Sequence, residues 1–413
     1  MGNEEVIGQV KELVKQVDWS DKEQANQARS IVDEISRSLN ISAEVLLGEH
    51  HAKVLPRKKV LVFLPYKASM WDCMESVWRA AVEDEEHCKV YVVPIPYADL
   101  NPDHSVKEWH CEKNMFPDYV KVTDWQEIDL EKLHPDAIFI HNPYDNTNYV
   151  TSITQEFYTE RLKNYTEHLV YIPYFVAKYD MDPLKCSTVG VVNSSHVIIQ
   201  DDVILRVYEK YYNKPYGEEK FLVLGSPKLD KVRQLKKCDY PLANDVKCLI
   251  KGKKIIFYNT SMGGFLQNPQ ESFAKVRELF KTIKNDERFI LWWRPHPLLE
   301  ATIKAMMPEY ISTFGELKTY FKNNYVGIYD KKADFYAGFA WSDAYYGDRS
   351  SLHTLYECLH KPAMLMDYER DCQDELNELA IWLKEGFPQS ERIIGDDAPT
   401  ESGRRIYEWI MTH

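Results

Sequence analysis

Phe289-Ile290-Leu291-Trp292-Trp293-Arg294-Pro295-His296-Pro297 is the stretch on which the reading of this chain turns. A short apolar run closed by a proline-stiffened turn has the texture of a strand buried on both faces. Strands of that kind build parallel sheets covered by helices, and ligands bind beyond their carboxyl ends. This one would deliver Arg294 and His296 to such an edge.

The flanking sequence repeats the texture. Lys253 to Tyr258 predicts a strand and Pro269 to Lys284 a helix. Downstream, Pro308 to Asn323 predicts a helix, Val326 to Tyr329 a strand and Lys332 to Ala340 a helix. Ala344 to Tyr346, Ser350 to Leu359 and Pro362 to Met366 continue as strand, helix and strand, and Glu401 to Met411 is helical. An earlier run alternates in the same way. Lys58 to Tyr66 and Val90 to Ile95 read as strands around a helix from Ser69 to Val82. Pro135 to Ile140, Leu169 to Pro173, His196 to Gln200 and Phe221 to Leu224 are further strands, with a helix near Gln155 to Tyr165. Tyr97 to Glu127 shows no strong periodicity and reads as a long loop. Two successive βα runs predict two doubly wound α/β domains facing a cleft. The expected boundaries are 1–57, a helical extension, then 58–240 and 241–413, with the seam near Lys236 to Lys251. In the extension, Val6, Val10, Leu13, Val14 and Val17 form one helical stripe. Ser20 or Asp21 would cap a second helix reaching about Leu39, and Ser42 a short third one.

Composition narrows the function. The 413 residues carry a formal charge of −13, which opposes a broad nucleic-acid or anionic-lipid surface. Glycine is sparse at 16 residues and tyrosine abundant at 27, so a glycine-rich nucleotide loop is not expected. No segment approaches a membrane span, and the first residues lack the apolar core of a signal peptide. The eight cysteines contain no C-x-x-C and read as reduced thiols of a cytoplasmic protein. His104, His110 and Cys111 lie close in sequence but fit no structural zinc spacing, so no metal is expected. Walker A, G-x-G-x-x-G, G-x-S-x-G and H-E-x-x-H motifs do not occur.

Candidate residues are those at strand ends. Arg294 offers a planar fork for phosphate oxygens, and His296 can donate to a developing charge or move a proton. A solvated Arg and a structural His in a rigid turn are the alternative. After Tyr345-Tyr346-Gly347-Asp348-Arg349, Ser350 and Ser351 open a helix. They read as phosphate ligands or as plain caps, and Glu357 lies one helix face away, open to ribose. Lys228 and Asp230, in Gly225-Ser226-Pro227-Lys228-Leu229-Asp230, read as a phosphate contact or a turn. Thr260 and Ser261 line a donor site or make a turn. His141, in His141-Asn142-Pro143-Tyr144-Asp145, reads as a general base oriented by Asp145, or as a buried core histidine. Asn142, Tyr144, Lys67 and Ser69 fall on the same, acceptor-side edge.

The order of Gly225-Ser226-Pro227-Lys228-Leu229-Asp230, Arg294-Pro295-His296-Pro297 and Gly347-Asp348-Arg349-Ser350-Ser351 resembles the CDP-glycerol glycerophosphotransferase family, the teichoic acid primases and polymerases. The resemblance covers roughly residues 58–380. It implies a GT-B-like architecture of two Rossmann-like domains and transfer of glycerol phosphate or another alditol phosphate from a CDP-alditol to an acceptor hydroxyl, releasing CMP. His296 would match the donor-side histidine. Ser350 and Ser351 would match the phosphate-holding serines, Thr260 the small polar strand-end residue, and Lys228 with Asp230 the interdomain motif, with Lys in place of the more usual Arg. The family's Trp-His-Gly-Thr segment is absent, and His141 stands in a different context. The resemblance also implies no cofactor beyond the CDP-alditol substrate, and a glycan, polyol-phosphate or lipid-linked acceptor at the cytoplasmic side. Weak peripheral membrane contact stays open, as does the oligomeric state. Two other functions fit the same architecture: a glycosyltransferase using a CMP- or UDP-linked sugar for capsule or surface polysaccharide, and a non-catalytic nucleotide-binding relative.

Overall fold

The computed structural model describes residues 3–17, 19, 22–39, 41–43, 45–47, 57–332, 334–388 and 395–413. These fall into two compact units, Met1–Lys228 with Ala398–His413, and Leu229–Asp397. The caps expected at Ser20 or Asp21 lie outside the described residues.

The first unit holds β1 (Lys59–Leu64), β2 (Cys88–Val92), β3 (Tyr97–Leu100), β4 (Val106–His110), β5 (Ala137–Ile140), β6 (Thr151–Ile153), β7 (His168–Tyr171), β8 (His196–Ile199) and β9 (Phe221–Val223). The second holds β10 (Lys254–Thr260), β11 (Phe289–Pro295), β12 (Gly327–Tyr329), β13 (Ala344–Gly347) and β14 (Ala363–Leu365). A wholly parallel sheet in the order β2-β1-β5-β7-β8-β9 forms the first core. Another, in the order β12-β11-β10-β13-β14, forms the second. In each the chain moves to one side of its first strand and then returns to the other. The strand order therefore reverses between β1 and β5, and between β10 and β13.

The apolar runs explain the sheets. All of β11 is buried, as is β10 beyond its first residue. Helices cover both faces, so these strands show no polar alternation. Helix Pro269–Asn285 sets Phe280 on Trp293 at 4.9 Å between ring centroids, and Phe321 from helix Ile311–Asn323 lies 5.1 Å from the same indole. The expected N-terminal helices are Asn3–Val14 and Lys22–Leu39, packed through Val10, Val14 and Val32.

Some segments differ from expectation. Tyr97 to Glu127 contains the β3–β4 hairpin, which joins β6 in an antiparallel sheet. Nearly every β4 side chain is exposed, so alternation could not reveal it. The helix expected near Gln155 to Tyr165 is a 3₁₀ turn, Gln155–Phe157, followed by Thr159–Leu162. The chain leaves the first unit between Lys228 and Leu229, ahead of the expected seam, and the final helix, Ser402–Thr412, returns to that unit. Lys59 Nζ donates to Ile410 O at 2.7 Å, and Tyr407 Oη to Asp84 at 2.7 Å. Such long-range docking leaves no local sequence signature.

The same helix places Trp409 against two histidines at the amino ends of β7 and β8, 4.6 Å from the His196 ring and 5.7 Å from His168. His196 Nδ1 donates to Glu219 O at 2.8 Å, so its Nε2 accepts from His168 Nδ1 at 2.9 Å. A proton added to His196 Nε2 would confront that donor. Burial holds both imidazoles below the ordinary value of 6.5, against the pull of Glu167, Asp136 and Glu219 and with the help of Lys59 and Lys220. The folded state therefore prefers both neutral. Their stabilisation is present above the unfolded pKa and is lost as the pH falls from there through the lower folded value. The melting temperature should drop as the pH falls below about 6.5, and His196→Gln should flatten that slope. An identical slope in the variant would exclude the pair as its source.

Candidate functional site

Gly347 brings the ends of β10 and β13 together. Its φ is +149°, and a Cβ there would lie 2.2 Å from Asn259 O. With that approach allowed, Asp348 N–H donates to Asn259 O at 3.1 Å. The Asp348 carboxylate then accepts from Ser261 N–H at 2.6 Å and from Tyr368 Oη at 3.1 Å. Ser350 caps helix Ser351–Glu357, accepting from His353 N–H at 3.3 Å, and takes a second bond from Asn259 Nδ2 at 3.1 Å. Ser351, the first helical residue, is exposed. Sequence reasoning named Ser261, Ser350 and Ser351; the structure adds Asn259, Asp348 and Tyr368. Asp348 directly follows β13 and Asn259 is the penultimate residue of β10, so both stand at strand ends.

His296 stands at the exit of the adjacent β11. Its N–H donates to Thr260 O at 2.8 Å, and its Nδ1 accepts from Leu298 N–H at 3.2 Å. That acceptor role puts the ring proton on Nε2. Burial, then the Arg294 charge, holds this half-buried imidazole below its ordinary pKa. Near neutral pH it is therefore a neutral Nε2–H donor. A pocket of about 220 Å³ opens beside it, lined in part by Glu300, Phe314, Tyr329, Lys331 and Lys332.

Other expected donor contacts are turned inward. The Arg294 side chain is 6% exposed, and Nη1 donates to Asp330 Oδ2 at 3.0 Å and Asp334 O at 2.9 Å. It ties the β11 and β12 exits together, and it also lines the pocket beside His296. Thr260 is fully buried, its Oγ1 accepting from Trp293 Nε1 at 3.2 Å. Lys228 is buried in an ion pair with Asp72 at 2.7 Å. It lies within the first unit, and burial removes it as a surface phosphate contact. Asp230 is buried in the first turn of helix Pro227–Arg233. Glu357 is half-buried, 3.6 Å from His353 Nδ1.

The general base expected at His141 is corrected by its surroundings. The ring is fully buried, and its Nε2 accepts from Tyr66 N–H at 2.9 Å. Nδ1 faces the Met70 carbonyl and lies 3.5 Å from Cys73 Sγ. Burial, then the Lys228 charge, pushes its pKa down to about 3. Both ring nitrogens are used, so none is left to receive an acceptor proton. Asp145 does not orient it; its Oδ2 accepts from Thr159 N–H at 2.9 Å and Oγ1 at 2.7 Å. Asn142 is buried, its Oδ1 accepting from Tyr144 N–H at 3.1 Å. Lys67 and Tyr144 remain half-buried at this edge, and Ser69 is exposed.

No protein-family model matches the sequence, and no curated protein matches it. Solved structures do. UDP-GlcNAc 2-epimerase from Methanocaldococcus jannaschii is 11% identical, with 86% of this chain and 100% of that chain covered at a TM-score of 0.55. S. aureus MnaA with UDP is 12% identical, covering 86% and 98% at 0.52. The wall teichoic acid polymerase TagF is 13% identical, covering 92% and 97% at 0.48. The first two likenesses show the fold: GT-B-like, with two Rossmann-like units. Among the described residues no helix is long and apolar enough to cross a membrane.

The His141 geometry makes a prediction. His141→Ala leaves the buried Tyr66 N–H without its acceptor and opens a cavity in the core. Stability to urea should fall by roughly 2–4 kcal/mol. A loss under about 0.5 kcal/mol would show that the imidazole is not part of the scaffold.

Proposed function

We propose that the chain transfers an alditol phosphate, glycerol phosphate in the first instance, from a CDP-alditol to an acceptor hydroxyl. The observation that carries this reading is His296: its Nδ1 is tied to Leu298 N–H, so Nε2–H is a fixed donor beside the β10–β13 switch point. The donor diphosphate lies along that edge, against Ser350, Ser351 and Ser261, with His296 donating to a phosphoryl oxygen. The acceptor oxygen forms a bond to the β-phosphorus while the bond to the bridging oxygen breaks, and CMP leaves with that electron pair. Phosphoryl transfer of this loose kind asks mainly for positioning and charge stabilisation. The acceptor proton passes to water late in the step, and no cofactor is called for.

The sequence resemblance supports CDP-glycerol. A second reading, an enzyme acting on a UDP-linked sugar, is favoured by likeness to the M. jannaschii epimerase, which has been solved with UDP-GlcNAc and UDP. A thermal-shift panel of CDP-glycerol, CDP-ribitol, CMP-sialic acid and UDP-sugars separates the two. Stabilisation by CDP-glycerol is expected, and selective stabilisation by a UDP-sugar would overturn the first reading. His296→Ala should lower CMP release from CDP-glycerol by about 100- to 1,000-fold with an unchanged melting temperature. Near-normal release by that variant would remove His296 from the chemistry. Nucleotide binding without turnover in the native chain would leave a binding protein.

A further inference from the structure

We propose that the free edge of β4 pairs with the same edge of a second copy of this chain, joining two small antiparallel sheets into one across a twofold axis. The inference is independent of the reaction proposed above.

β4 is an edge of the sheet ordered β4-β3-β6. β3 occupies one side of it, and among the described residues no strand pairs with the other. Such an edge presents backbone N–H and C=O groups that pair with water or with another strand. Val106, Lys107, Glu108 and Trp109 are all exposed, the valine at 49% and the tryptophan at 53%. Lys107 and Glu108 have no ion-pair partner among the described residues. Glu108 stands opposite Asp99, an acid beside an acid, and Asp99 is already taken by His110 Nε2 at 3.2 Å. A cation on the outer side would relieve that repulsion.

A bulge sets the faces of the strand. Asp99 lies opposite Glu108 and Leu100 opposite Val106, which leaves Lys107 as an extra residue on β4. Trp109 lies opposite Ala98. Ala98 and Leu100 share one face of β3, because side chains alternate along a strand. Val106 and Trp109 are therefore brought to that face together. Glu108 follows Asp99 to the other face, the one on which Tyr97 and Ile153 are buried.

These four residues complement their own reversal. With the axis between Lys107 and Glu108, antiparallel pairing sets Val106 against Trp109 of the second copy and Lys107 against its Glu108. Each pair occurs twice, and the valines and tryptophans make one apolar row on a shared face. A slip of one residue sets Lys107 against Lys107 or Glu108 against Glu108, and like charges directly opposite are destabilising. An edge lysine and a bulge discourage indiscriminate pairing. In this one register the lysine has a carboxylate to face. A lipid surface fits the patch less well. The patch carries one charge of each sign on a chain of net charge −13, and hydrocarbon offers no partner to strand N–H groups. Four residues from each chain make a small contact, so the dimer is weak, with a dissociation constant on the order of 10 μM.

Sedimentation velocity of the full chain tests this, over roughly 1 to 200 μM. A dimer should appear as the concentration rises. Lys107→Glu and Glu108→Lys should each weaken it about tenfold, because each sets like charges opposite one another twice. The double swap should restore it to within about threefold of the native chain. Trp109→Ser should weaken it about tenfold as well. All of these side chains are exposed, so the melting temperature of the dilute chain should not move. A native chain that stays monomeric throughout would overturn the proposal. A dimer indifferent to both single charge changes, or not restored by the double swap, would overturn it too. A monomer that co-sediments with phosphatidylglycerol vesicles, and loses this with Trp109→Ser, would give the patch to a lipid surface instead.

Discussion

The approach of Gly347 to the Asn259 carbonyl is the contact on which the second unit's edge depends. Any side chain at that position would have to occupy space 2.2 Å from the carbonyl oxygen. Because none does, β13 can end in a φ of +149° and hand Asp348 across to β10. The Asp348 carboxylate then fixes Ser261 N–H, and Ser350 both caps its helix and receives Asn259. One glycine thus organises two strand exits and two helix starts. The edge is built from hydroxyls, one amide side chain and the Asp348 carboxylate.

Charge is distributed by the same rule of burial. A buried ion pair costs desolvation on both sides and holds only when its partners are matched. Lys228 with Asp72, Arg294 with Asp330, and Lys275 with Glu375 are such pairs, and each joins segments remote in sequence. They orient the scaffold, and the Arg294–Asp330 pair also lines the pocket beside His296. In a chain of net charge −13, positive groups near the described strand exits include Lys331 and Lys332 beside His296, the exposed Arg349 after β13, and Lys67 on its tyrosines. Local potential, not net charge, decides where an anion could go.

The fold was largely legible because buried parallel strands write themselves as unbroken apolar runs. Lys58 to Tyr66 and Phe289 to Trp293 each became a strand of a parallel sheet. β4 was illegible because it is exposed on both sides and so carries no period. The site was only half legible. Strand-end position drew attention to His296, Ser261 and Ser350. It could not say which way a side chain points, and so it left Thr260 open to a ligand when that residue is sealed beneath Trp293.

His141 shows the same division. Its place after an apolar strand was readable, but its role depends on Tyr66 N–H and Met70 O, brought in from a segment some seventy residues away. The sequence by itself determined that strands and helices alternate, that the chain makes two βα runs, and which residues stand at their exits. Those properties follow from local hydrophobicity and turn chemistry. Only the tertiary structure decided which exits become neighbours, which polar groups are sealed in pairs, and which face of each ring is left to water. Those outcomes depend on packing between segments that local sequence does not connect.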